Sequence, residues 1–199
     1  MKGKLLFPLI QRMRIFFWLS FGIFVLGALL GAIFSHPLAV WIIPMVNSLR
    51  SEAHGLQKDA FFPAMFLLFT NNLKVSLLMI CGGVLFGVVP VLGVLANGAL
   101  VGFVLLILTV KDHVNPLLIF VAGILPHGIF EIPAYLLASA LGMRIGWLII
   151  RTLADRAGTD EWRAVGKDAA PTILWVMGLL FVAAMIETGI TPLLIRLVV

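Results

Sequence analysis

From Ala60 to Val110 the chain carries a single charged residue, Lys74. A membrane-crossing helix needs about 20 apolar residues, so a run of about 50 is too long for one crossing and long enough for two. Backbone polar groups inside a bilayer must be satisfied within the segment itself, which helices do. This run sets the expected fold class: an all-α, polytopic membrane helical bundle.

Composition agrees. Of the 199 residues, 62% are hydrophobic and 12% are charged, against roughly half and a quarter in ordinary soluble domains. So few charged side chains leave the apolar surface to lipid, and the bilayer is the first partner expected. The formal net charge is +5, with the basic residues at span ends and in short loops. Orientation and contact with anionic lipid account for them. No basic helix with interleaved aromatics occurs, so no nucleic-acid partner is expected. Cys81 is the one cysteine. It excludes an intrachain disulfide and a cysteine metal cluster, and within its apolar run it reads as a small buried thiol.

Residues 1–199 read as one integral membrane domain with about five spans, near 15–34, 73–89, 92–110, 117–141 and 172–188. The first follows Lys2, Lys4, Arg12 and Arg14 and resembles a signal peptide, but it is long enough to span and reads as retained. Residues 35–58 contain Pro37 and Pro44, which disfavour a straight span, and fit a helix lying at the headgroup level. Phe61–Phe69 reads as a short apolar lead-in, and Pro90 with Gly93 as the turn between the second and third spans. Leu117–Leu141 is interrupted by Pro126-His127-Gly128 and by Pro133, which predicts a broken helix near residues 125–133. Residues 144–167 are the most charged region and read as a loop.

Lysine and arginine set orientation. The N-terminal tail and the 144–167 region are the most basic, and five spans put them on one side. The expectation is a cytoplasmic N-terminus and a C-terminus outside. Gly83 with Gly87 and Gly98 with Gly102 form two GxxxG pairs, which let helix backbones approach closely. They serve packing between spans or contact in a homodimer.

His127 and Glu131 lie four apart in an apolar segment, on one face of a helix. An ionisable pair there is costly and is expected to face the protein interior with partners. Three readings stay open: a polar lock between helices, a divalent metal site such as zinc with His127 and Glu131 as ligands, and a proton or ion pathway. Asn71, Asn72 and Asn97 also need partners in apolar surroundings, and a polar intramembrane cluster of Asn71, Asn72, Asn97, His127 and Glu131 would provide them. Lys74 snorkels to the interface or pairs with Glu131. Glu187 reads as an outer-interface residue. His36, His54 and His113 read as solvated loop histidines on the outer side.

The order here is His-x-x-x-Glu, not HExxH, and no GxSxG, Walker loop or GxGxxG occurs. No catalytic residues are assigned, and the chain is not expected to be an enzyme.

Phe69-Thr70-Asn71-Asn72, Gly83-x-x-x-Gly87, Asn97-Gly98-x-x-x-Gly102, Pro126-His127-Gly128-Ile129-Phe130-Glu131 and Ala138-x-Ala140-x-Gly142 together resemble the stage II sporulation protein M family, over roughly residues 60–150. The resemblance implies a multi-pass protein of the inner (cytoplasmic) membrane, part of the cell envelope. It also implies a non-enzymatic scaffold or anchor that recruits envelope-remodelling partners, peptidoglycan hydrolases among them. The family's polar positions fall on Asn71, Asn72, Asn97, His127 and Glu131. The alternative function is a transporter or channel component, or a metal-binding membrane protein, with its site at His127 and Glu131.

Overall fold

The computed structural model describes residues 6–40, 42–44, 61–112 and 115–197. The main elements are α1 (Leu6–Arg12), α2 (Arg14–Ile33), α3 (Phe61–Cys81), α4 (Val88–Asp112), α5 (Pro116–Ile119), a π-helical turn (Phe120–Ile124), α6 (Leu125–Leu153), α7 (Thr159–Gly189) and α8 (Thr191–Arg196). No strand occurs among the described residues. Five helical segments are long and apolar enough to cross a membrane: Arg14–Ile33, Phe61–Val84, Val88–Ile107, Leu117–Leu153 and Thr159–Gly189. The chain is an all-α polytopic bundle.

Helix α6 is the hub. Every residue from Ala134 to Met143 is buried, and the helix packs against α2, α3, α4 and α7. Burial all round needs small residues where backbones come close. Ala134, Ala138, Ser139, Ala140 and Gly142 supply them. Ser139 adds a hydrogen bond across to the Pro90 carbonyl at 3.1 Å.

Two glycine seams hold the outer helices. A β-carbon on Gly27 or Gly31 of α2 would collide with the α4 backbone at Leu95 and Ala99, and one on Gly98 or Gly102 of α4 with the α2 backbone at Phe24 and Ala28. The second seam joins Gly83 to the backbone of Gly142, and Gly146 to the backbone at Phe86 and Gly87. Both GxxxG pairs read from the sequence are thus engaged within one chain. Gly27/Gly31 and Gly142/Gly146 are their partners.

Several elements differ from the sequence expectation. Helix α3 begins at Phe61, so the apolar lead-in and the residues expected to start the second span form one helix. Its end is set by a tight turn in which Phe86 and Gly87 take positive φ, 56° and 79°. Pro90 falls in the first turn of α4 instead, where its missing N–H has no intrahelical partner to lose. Cys81 is exposed, not buried, because the last residue of α3 faces outward. The break before residue 133 takes the form of the π-helical turn. Pro126 follows at the start of α6. Its ring would crowd the carbonyl four residues back, and the wider π turn relieves that crowding. Pro133 sits inside α6.

Most of 144–167 is helical rather than loop. α6 continues to Leu153, ending in a Schellman-type cap in which the Arg156 and Asp155 N–H groups donate to the carbonyls of Arg151 (2.8 Å) and Thr152 (3.1 Å). At 1.5 Å per residue the 29 residues of α6 span about 44 Å, against a hydrocarbon core of about 30 Å. Its charged end therefore lies beyond the apolar layer, alongside the start of α7. Within 35–58, residues 35–40 and 42–44 are helical; the remainder of that segment, with His54, and also His113, lie outside the described residues.

Candidate functional site: an ionisable cluster inside the bundle

His127, Glu131 and Tyr135 repeat every four residues along α6 and so form one stripe. The stripe faces Asn72 of α3, Glu187 of α7 and Thr191 at the start of α8. The Glu131 Oε1 accepts two hydrogen bonds, from Asn72 Nδ2 at 2.9 Å and from the Tyr135 hydroxyl at 2.8 Å. The other oxygen, Oε2, lies 3.7 Å from His127 Nε2. On the far side of the imidazole, Nδ1 is 3.3 Å from Thr191 Oγ1. Glu187 completes the group: one donor atom from each of His127, Glu131 and Glu187 lies within 4.8 Å of the others. All three are partly buried.

The arrangement is asymmetric. One carboxylate oxygen of Glu131 is saturated by neutral donors, which fixes the group without neutralising it. The imidazole is anchored at one nitrogen and presents the other to Oε2. Glu187 makes no hydrogen bond or ion pair among the described residues. No lysine or arginine among the described residues pairs with either carboxylate. Two acidic side chains and one imidazole therefore converge in an apolar bundle with acceptor capacity to spare.

The structure brings Asn72, His127 and Glu131 of the expected cluster together. It leaves out the other two amides. Asn71 is exposed, and Asn97 donates from Nδ2 to the Gly93 carbonyl of its own helix at 2.8 Å, which satisfies one donor locally. Lys74 is exposed and is not among the partners of Glu131. Glu187, expected at the outer interface, belongs to the cluster instead. Sequence reasoning missed Tyr135, Glu187 and Thr191. Extending the His127/Glu131 stripe by one turn reaches Tyr135, and Glu187 is the one ionisable residue between Thr172 and Ile195.

A second ionic group stands further along α6. Asp168 of α7, buried, accepts from Arg144 at 2.6 Å and from Arg12 at 2.8 Å. It ties α1 to the α6–α7 pair, with Leu9 and Met13 buried beneath. Beyond it, Arg151 pairs with Glu161 across the α6–α7 hairpin and also donates to the Arg156 carbonyl. A shallow cleft bordered by Phe16, Arg144, Trp147, Arg151 and Glu161 lies there.

The model of the family described as stage II sporulation protein M matches residues 20–192, a stretch that contains Asn72, His127, Glu131, Tyr135, Glu187 and Thr191. An uncharacterized protein of Methanocaldococcus jannaschii is 37% identical over 131 residues, covering 66% of this chain and 71% of that protein. No solved structure matches the chain. With most of its length under the family model, and with five apolar helices packed on a polar centre, this multi-pass membrane protein belongs to the stage II sporulation protein M family.

Proposed function

We propose that the chain is a non-enzymatic anchor of the inner (cytoplasmic) membrane that recruits envelope-remodelling proteins, peptidoglycan hydrolases among them. The observation that carries this reading is the family match, which runs over residues 20–192 and takes in most of the bundle. The fold is compatible with it: seams with no room for a β-carbon make a rigid platform. The basic residues near α1 and in the α6–α7 hairpin favour a cytoplasmic N-terminus and an outer C-terminus. The test is photo-crosslinking in cells from positions in residues 45–58 and from exposed Phe62 and Leu92, with hydrolase localisation followed after deletion of the gene. A specific crosslink to an envelope-remodelling protein that loses its position on deletion supports the reading. Unchanged localisation, with lipid as the only crosslinked species, rejects it.

A second reading, a transporter or channel component, is favoured by the convergence of ionisable residues beside a proline-started helix. Proteoliposome flux that falls in Glu131→Gln, together with labelling of a cysteine at position 131 by a water-soluble reagent from one side, would move the function there.

A further inference from the structure

We propose that His127, Glu131 and Glu187 bind one divalent transition-metal ion, for which Zn²⁺ is the probe. The proposal does not rest on the anchor reading, and each stands or falls separately.

Three features point to an ion rather than to a polar lock. The first is spacing. Metal–ligand distances of about 2.0–2.2 Å at tetrahedral to trigonal angles place neighbouring donor atoms about 3.3–3.6 Å apart. His127 Nε2 and Glu131 Oε2 stand 3.7 Å apart, too long for a hydrogen bond and close to that separation. Glu187 adds a third donor: one ligand atom from each of the three residues lies within 4.8 Å of the others.

The second is the division of labour in the surrounding shell. Metal-bound imidazoles commonly engage their other nitrogen, and ligating carboxylates are themselves hydrogen-bonded. Here Thr191 holds Nδ1, while Asn72 and Tyr135 hold Oε1. The two atoms left over, Nε2 and Oε2, are the two that face each other. A lock between helices has no need to leave them 3.7 Å apart.

The third is charge and satisfaction. Glu187 has no hydrogen bond or ion pair among the described residues, although it belongs to a span and faces the cluster. Inside lipid, two carboxylates ionise together only at high cost without a counter-charge, and no arginine or lysine among the described residues supplies one. A dication balances them. The nitrogen-and-oxygen donor set suits zinc, with iron as a second choice. Thr191 and Tyr135 act as positioning residues.

The experiment is metal analysis of the full chain purified in detergent without chelators, followed by chelator stripping and Zn²⁺ titration. Glu131→Gln, Glu187→Gln and Thr191→Ala are carried in parallel. One zinc per chain is expected in the wild type. Glu187→Gln and Glu131→Gln should lose it, and Thr191→Ala should bind about 10- to 100-fold more weakly. A zinc-dependent rise in thermal midpoint should appear in the wild type and, at higher zinc, in Thr191→Ala, and be absent from Glu131→Gln and Glu187→Gln. No metal on purification and none on titration overturns the proposal. Retention of full affinity in Glu187→Gln also overturns it, since the ion would then sit elsewhere. If Glu187→Gln does not fold, X-ray absorption of Co²⁺-loaded wild type decides. One imidazole with oxygen donors supports the site, and a sulfur donor or an all-oxygen shell overturns it.

Discussion

Helix α6 carries an ionic cluster at each of two levels, roughly 20 Å apart along its axis for the 13 residues from Glu131 to Arg144. They are built in opposite ways. At the Arg144 level a single buried carboxylate, Asp168, is claimed by two guanidinium groups. The pairing is short, charge-assisted and complete, and it fastens α1 to α6 and α7. At the His127 level two carboxylates gather beside one imidazole, and one oxygen of Glu131 is held by neutral donors. Glu187 is left without a hydrogen bond or ion pair among the described residues. The contrast separates a fastener, whose removal strands charges, from the cluster proposed above to receive an ion.

That contrast sets the order of mutational effects. Asp168→Ala leaves Arg144 and Arg12 without their shared partner. Breaking a buried ion pair by removing one side costs about 3–5 kcal/mol, so a loss of about 3 kcal/mol is expected in denaturant unfolding in detergent. A loss below about 1 kcal/mol would remove the fastener from the comparison. Arg144→Ala should cost less, about 2 kcal/mol, because Arg12 still contacts Asp168. Tyr135→Phe removes one of the two neutral donors to Glu131 and should cost about 1 kcal/mol by the same measurement. Arg12→Ala should cost no more than about 1 kcal/mol, its side chain being half exposed at 51%. Glu131→Gln should change the stability of metal-free protein least. Glutamine keeps an acceptor for Asn72 and Tyr135 and replaces only Oε2, which accepts no hydrogen bond. If Glu131→Gln instead destabilises the metal-free protein as much as Asp168→Ala does, the two clusters are the same kind of device and the comparison fails.

The helical spans were legible because lipid imposes a coarse rule: a stretch long and apolar enough must cross. That rule sees only what lipid covers. It read residues 144–167 as a loop, although α6 and α7 continue as helices past the apolar layer, where charged side chains support a helix as well as a loop. It placed the second span too late because Asn71, Asn72 and Lys74 looked like a boundary. They lie in the middle of α3, with Asn72 turned to the centre and Asn71 and Lys74 outward. Within the site, Asn72, His127 and Glu131 announced themselves as polar residues in apolar company. Glu187 did not, because an acid near the end of a span is ordinarily an interface residue. Only the packing of α7 on α6 turns it inward. Pro126 signalled that the helix is interrupted, but whether proline gives a gap, a kink or a π turn depends on neighbours that sequence spacing does not specify.

The seam between α2 and α4 has a consequence for how the chain is made. Its two halves are separated by the whole of residues 35–87. During synthesis at about 5–20 residues per second, α2 is in the membrane for several seconds before Gly98 and Gly102 emerge. For that interval the groove at Gly27 and Gly31 has no partner of its own. Another newly made helix with small residues at the same spacing would fit it equally well. The same close approach that locks the finished bundle therefore opens a window for mispairing, and it gives a membrane chaperone or insertase a defined surface to shield until the third span arrives.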